Sequence, residues 1–300
     1  MFWRELKKLA SLLSITLVIS TPQLALAKRY YKPTYAALVV DAKTHKVLYH
    51  RNANTRINPA SLTKMMTIYL AFEAIKNKKL SMSSRLNISK KAASMPKSNI
   101  DLIRGQRITL REAILSLIVK SANDSAVAIA ENISGSEYKF ALLMNKRAKQ
   151  LGMRSSNFVN ASGWHHRKQK TTALDMAKLA IALKRDYPEY YHLFSRTSFY
   201  YKNKLYKSHN HVLTNLKGAE GMKTGYTSKA GWNLVTTASR NNSRLVGVII
   251  GGRSSASRDK KMVSLLNTHF YKIKGSNKNK TMYAKSKRKI LAAARSKKRA

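Results

Sequence analysis

The sequence predicts an α+β domain: an antiparallel sheet of five strands, flanked by helices and interrupted by an inserted, mainly helical lobe. Three observations predict it. Runs rich in Val, Leu and Tyr occupy residues 36–41 and 46–51, the middle of the chain has helical apolar periodicity, and three more strand-like runs follow residue 220. Two early strands must therefore pair with three late ones, so the sheet closes late and the helical block sits between its halves.

In chain order, Ala36 to Asp41 and Lys46 to Arg51 form a hairpin through Ala42 to His45. The polar loop Asn58-Pro59-Ala60-Ser61-Leu62-Thr63-Lys64 then runs into an apolar segment, Met65 to Leu70, with helical periodicity to Ile75, which puts Ser61 at a helix start. Lys76 to Lys79 suits the negative end of that helix. Leu80 to Asn87 reads as connecting loop, and Ser89 to Gln106 has no assignable pattern. Thr109 and Glu112 make a capping box, followed by an apolar face of Ala113, Ile114, Leu117 and Ile118 that ends near Ser121. The next helix runs from Asp124 to about Ile133, so Ser121 and Asn123 fall in a short link between two buried helices. Glu137 to Leu151 is a helix closed by Gly152, and Thr172 to Lys184 is another, with Thr172 and Asp175 read as a second capping box. Asn157 to Gly163 between them is polar loop. Thr197 to Leu205 reads as a hairpin around Lys202-Asn203-Lys204. Gly221 to Thr224, Gly231 to Ser239 and Leu245 to Gly251 are the late strands, and Ser257 to Tyr271 is the last helix.

Length and composition set the outer limits. Three hundred residues with 44% hydrophobic content bury a sizeable core and exclude disorder of the whole chain. Arg4, Lys7 and Lys8 precede an apolar run from Leu9 to Ile19, and Ala25-Leu26-Ala27 has the small residues of a cleavage site, so residues 1–27 read as a secretory signal. The alternative is a retained anchor, for which the run is short. There are no cysteines, hence no disulfides and no thiolate chemistry. A net charge of +45 would suit nucleic acid in a cytoplasmic protein. Export argues against nucleic acid and leaves phospholipid headgroups, cell-wall carboxylates or a simple compositional bias toward lysine.

Chemistry concentrates at Ser61. Lys64 lies three residues on, and i, i+3 spacing on a helix places both side chains on one face. A desolvated lysine with a lowered pKa can take the serine proton. The Ser-x-x-Lys pattern alone is weak, since Ser94, Ser136, Ser257 and Ser286 begin the same pattern. The order strengthens it: Ser121-Ala122-Asn123 and then Lys223-Thr224-Gly225 follow downstream, and Lys-Thr-Gly occurs once.

Together with Met144-Asn145, Leu151-Gly152-Met153, Tyr226-Thr227 and Ala230-Gly231-Trp232-Asn233-Leu234, these motifs resemble the D-alanyl-D-alanine carboxypeptidase family of low-molecular-mass penicillin-binding proteins, from about Tyr35 to Tyr271. The resemblance implies a β-lactamase/transpeptidase-like fold, no cofactor and no metal. Its implied substrates are peptidoglycan stem peptides, with β-lactam antibiotics as ligands. It implies Ser61 as nucleophile, Lys64 as base and Ser121 as proton relay to the leaving amine. Asn123, Lys223, Thr224, Gly225 and Tyr226 bind substrate: Lys223 sets an electropositive field at Ser121, Thr224 bonds the terminal carboxylate, and the backbone N–H groups of Ser61 and Tyr226 take the oxyanion. One departure is Asn160-Ala161-Ser162-Gly163-Trp164, where the family more often has leucine after the glycine; it bears on substrate preference.

Three other enzyme readings compete. A D,D-endopeptidase uses the same machinery. A class A β-lactamase needs a water-activating glutamate, whereas between Gly152 and Tyr201 the carboxylates are Asp175, Asp186 and Glu189. A metallopeptidase would use His209 and His211 with His165 or His166, at no recognised spacing to an acidic residue. A non-catalytic binding protein would be expected to have lost a motif member. Residues 28–272 are thus expected to form one catalytic domain, and the basic segment 273–300 is too short for a second core. That segment is expected to hold the protein against an anionic membrane surface in the periplasm or cell envelope, the alternative being a solvated tail.

Overall fold

The computed structural model describes residues 33–274. The expected signal segment and nearly all of the basic segment lie outside them.

Strands β1 (Ala36–Asp41) and β2 (Val47–Arg51) open the chain. A single 3-10 turn, Ala60–Thr63, leads into α1 (Lys64–Lys76). The helical lobe holds the short strand β3 (Arg85–Asn87), α2 (Lys90–Ala93), β4 (Arg107–Thr109), α3 (Leu110–Val119), α4 (Asn123–Ser134) and α5 (Glu137–Gln150). Helix α6 (Ala173–Asp186), the hairpin β5 (Ser198–Tyr201) and β6 (Lys204–Lys207), and α7 (Val212–Asn215) follow. Strands β7 (Ala219–Thr227), β8 (Gly231–Arg240) and β9 (Ser243–Gly252) complete the sheet, and helix α8 covers residues 255–274.

The sheet order is β2-β1-β9-β8-β7, antiparallel throughout, so β1 pairs with β9 and the early hairpin docks on the late one as expected. Both faces of the sheet are covered. Ala36, Leu38 and Val40 of β1 join the core shared with α1 and α6, whereas Ala37 and Val39 face Met262, Leu266 and Phe270 of α8. This two-sided burial explains why β1 is apolar at every position and not alternating. Helix α1 is likewise enclosed: Met65, Met66, Ile68, Leu70 and Phe72 are all essentially inaccessible, each contributing about 2 kcal/mol by burial. Its position is thereby fixed deep between sheet and lobe. The β8–β9 connection is a two-residue turn with Asn241 and Asn242 both at positive φ, and Lys202-Asn203 does the same for β5–β6.

Three expectations need correction. Residues 80–87 are not all loop, because β3 pairs with β4; three-residue strands are too short to show a period of two. The unassigned stretch 89–106 contains α2, capped by Ser89. Thr172 does cap α6 by accepting from Asp175 N–H, but the Asp175 carboxylate turns outward to Ser155 N and Ser156 Oγ, so only half of that capping box forms. The Thr109/Glu112 box is complete.

Candidate active site

Ser61 sits on the 3-10 turn before α1, where Ala60 adopts a left-handed conformation at φ +49° and reverses the chain. Parts of the chain far away in sequence hold the turn. Buried Asn233 of β8 donates through Nδ2 to Pro59 O at 3.2 Å, and its Oδ1 accepts from Gly251 N at 2.9 Å. Gly225 of the edge strand β7 packs so tightly that a Cβ there would lie 3.0 Å from Ser61 N and 3.2 Å from Leu62 N. A side chain at this position would push the strand and the Ser61 amide apart by a few tenths of an ångström.

Lys64 is fully buried, and its Nζ lies 3.0 Å from Ser61 Oγ, 2.7 Å from Asn123 Oδ1 and 2.6 Å from Ser162 O. Burial pushes its pKa well below the ordinary lysine value; the Lys223 charge adds to this and Asp124 opposes it. As a neutral amine, Lys64 has two N–H groups for Asn123 and Ser162 and one lone pair for the Ser61 hydroxyl proton. That is the arrangement of a general base with its nucleophile.

The loop 157–163, expected to be polar, enters the site through its backbone. Thr67 Oγ1, one turn along α1 from Lys64, donates to Ala161 O at 2.7 Å, and the next carbonyl, Ser162 O, takes Lys64. Glu137 accepts from Ala161 N at 3.0 Å, and buried Gln169 accepts from Val159 N while donating to Thr63 Oγ1. A backbone acceptor carries no residue-type signature, so no sequence pattern marks Ser162.

Ser121 and Asn123 stand where α3 passes to α4. Ser121 is at φ +63°, nearly buried, and its Oγ has no hydrogen-bond partner. Asn123 begins α4, and its Nδ2 donates to Pro96 O at 2.8 Å, which leaves one amide proton for a substrate. Asp124 accepts from Ile100 and Leu102 N–H and so fixes the 96–102 loop; burial raises its pKa. Lys223, also buried, donates to Thr224 O at 2.9 Å. It forms no bond to Ser121, so any influence there is through its field. Burial, with Arg258 nearby, lowers its pKa to about 7.

Ser61, Ser121, Asn123, Thr224, Gly225 and Tyr226 line one cavity of about 440 Å³. Lys64 and Lys223 lie buried beside it. All eight residues singled out in the sequence are thus brought together. The sequence reading missed Arg258, which lines the same cavity at 2% exposure, bonded to Asp259, Asn233 O and Ser255. A lone arginine on a helix of a chain with 58 basic residues carries no signal. Lys97, His209 and His211 also line the cavity, and among the described residues no carboxylate does. Among the described residues, no group of three or more His, Asp or Glu is placed to hold a metal. A cavity lined by basic side chains suits an anionic ligand end beside Ser61.

This fold, with a serine on the turn that enters the central helix and a buried lysine at the helix start, facing an open sheet edge, is the penicillin-binding-protein architecture. Penicillin binding protein 5 from Haemophilus influenzae superimposes with a TM-score of 0.76 at 33% identity, over 79% of this chain and 70% of that one. Penicillin-binding protein D2 from Listeria monocytogenes, solved in its ampicillin-bound form, gives 0.72 at 28% identity over 78% and 96%. The family model for D-alanyl-D-alanine carboxypeptidase matches residues 30–254, and the chain belongs to that family. It is 34% identical over 244 residues to the D-alanyl-D-alanine carboxypeptidase DacF of Bacillus subtilis, covering 78% of this chain and 61% of that protein. With DacC of Escherichia coli the identity is 33%, covering 78% and 60%. The chain thus spans about three fifths of the length of these relatives.

Proposed function

We propose that this protein is a serine D-Ala-D-Ala carboxypeptidase that removes the terminal D-alanine of peptidoglycan stem peptides through an acyl-enzyme. The observation that carries the reading is the buried Lys64 amine, 3.0 Å from Ser61 Oγ with its other two partners both acceptors. Ser61 Oγ attacks the carbonyl between the two D-alanines as its proton passes to Lys64. The oxyanion is taken by the backbone N–H groups of Ser61 and Tyr226, the latter on the sheet's edge strand. Ser121, whose hydroxyl is uncommitted, hands its proton to the leaving amine and regains one from Lys64, which took it from Ser61. Thr224 receives the terminal carboxylate, with Lys223 and Arg258 supplying positive field behind it. Water then releases the shortened peptide.

The same chemistry acylates Ser61 with a β-lactam. Asp175 and Asp186 are committed to Ser155, Ser156, Tyr69 and Arg185, and among the described residues no carboxylate lines the cavity to drive rapid hydrolysis of the ester. Cleavage of cross-links is a second reading, favoured by 32% identity over 225 residues to a D-alanyl-D-alanine endopeptidase of Pseudomonas aeruginosa. We further propose that residues 28–272 act as one catalytic domain exported to the cell envelope, and that the basic segment after it rests on anionic lipid. No helix of the described residues is long and apolar enough to cross a membrane.

Intact-mass measurement after incubation with penicillin tests the assignment. One persistent adduct is expected, absent in Ser61→Ala and formed orders of magnitude more slowly in Lys64→Arg, whose guanidinium gives up no proton near neutral pH. An adduct on Ser61→Ala overturns the nucleophile, and rapid sustained turnover of penicillin would identify a β-lactamase. Mass analysis of digested cell wall separates free D-alanine from cleaved cross-links.

A further inference from the structure

The loop that supplies Ser162 O to Lys64 continues into an exposed run, Trp164 to Lys168. Trp164 lines the catalytic cavity. Its backbone is pinned: its N–H donates to Ser162 Oγ at 3.2 Å and its carbonyl accepts from Asn160 Nδ2 at 2.9 Å. Opposite, in the turn between β7 and β8, Lys229 brings Nζ to 3.2 Å from His165 Nε2. Desolvation, then Lys229, Lys170 and His166, lower the His165 pKa, so a neutral ring accepts from the ammonium. The ion pairs of the described residues all lie elsewhere, so His165, His166, Arg167, Lys168, Lys170 and Lys229 have no internal counterion.

Isolated surface lysines are normally just solvated. Here, however, two elements that frame the cavity bring basic groups into contact beside an aromatic wall. Position along the strand says which part of a peptide would reach them. Thr224 takes the terminal carboxylate in the reading above, and the strand runs on through Thr227 toward Lys229. At about 3.4 Å per residue, Thr224 to Thr227 covers roughly 10 Å, the length of three residues of extended peptide. A peptide aligned on the strand with its terminal carboxylate at Thr224 has the residue just before D-Ala-D-Ala beside Thr227, and a long side chain on that residue extends on toward Lys229, two residues further.

We propose that Trp164 and the His165–Lys229 pair form a specificity subsite for a side-chain carboxylate on the residue preceding D-Ala-D-Ala in the acyl-donor peptide. This rests on the carboxypeptidase reading. The ring of Trp164 packs on the aliphatic stem of that side chain, and Lys229, with His165 beside it, meets the charge.

The test compares two pentapeptides, L-Ala-γ-D-Glu-X-D-Ala-D-Ala, with X either diaminopimelic acid or its side-chain amide. From the strength of exposed ion pairs, kcat/KM at low ionic strength should favour the free carboxylate by roughly fivefold. The ratio should fall to near one in Lys229→Ala and be kept in Lys229→Arg; Lys229 is exposed on a turn, and melting temperatures check that both variants fold. A wild-type ratio near one, or a ratio unchanged in Lys229→Ala, overturns the subsite. Penicillin acylation in the same samples separates the two failures: acylation with no discrimination removes the subsite alone, whereas no acylation and no hydrolysis of either peptide removes both.

Discussion

A buried lysine with a lowered pKa leaves a mark on stability as well as on chemistry. Lys223 has a pKa of about 7 in the folded protein, and Lys64 is also well below the ordinary value, which both regain near 10.4 on unfolding. Between those limits the unfolded chain binds protons that the folded chain has shed, so stability rises with pH and is lost as pH falls toward 7. Buried Tyr69 and Tyr191, whose pKa values are raised, act in the opposite sense above about pH 10. The melting temperature should therefore climb from pH 7 to about pH 9.5, and less steeply in Lys223→Met; identical slopes would mean that Lys223 is not desolvated. Gly225→Ala tests the other contact at the nucleophile. The new Cβ meets the Ser61 and Leu62 amides at 3.0 and 3.2 Å and must displace the turn or the strand. Penicillin acylation should fall about 100-fold, the cost of losing one oxyanion donor, with near-normal far-UV dichroism. Unchanged acylation would show that the amide does not depend on this contact.

At the level of elements, the site is a junction of loops anchored on buried side chains. Asp124 is 1% exposed and accepts from Ile100, Leu102 and Ser125 N–H, tying the 96–102 loop to the first turn of α4. Asp124→Ala should cost about 3 kcal/mol by leaving those donors buried and unmet, and should slow acylation by loosening Asn123. Denaturant unfolding and acylation kinetics measure both effects, and a loss below about 0.5 kcal/mol would contradict the anchoring role. Elements with a clear apolar run or pattern were legible in the sequence: α1, α3 with its capping box, and all five strands of the main sheet. The parts that were not legible depend on backbone geometry. β3 and β4 are three residues each, Asp175 uses its carboxylate across a loop and not in its own cap, and Ser162 contributes only a carbonyl. Arg258 was hidden for a different reason, since one functional cation among many solvated ones has no compositional signature.

For the whole molecule, the outstanding property is a net charge of +45. The same excess supports the proposed contact with anionic lipid. Removing residues 275–300 should leave hydrolysis of a soluble peptide intact and abolish salt-sensitive sedimentation with phosphatidylglycerol vesicles, since each basic residue near such a surface adds on the order of 1 kcal/mol. Equal sedimentation of the two forms would place the contact on the folded domain.

The nucleophile turn is also gripped from two sides by glycines far away in sequence. A Cβ on Gly163, at φ +81°, would lie 1.9 Å from Ala60 O, and Gly225 presses on the next amide from the sheet. Residues 60, 163 and 225 meet only after the lobe and the late strands have both closed around α1. The geometry around Ser61 therefore needs both of these long-range closures, and a partly folded chain lacking either is expected to leave the proposed nucleophile unactivated. If Ser61 is acylated as proposed, a covalent β-lactam label should count finished molecules, and its appearance during refolding should time the docking of the two halves of the fold.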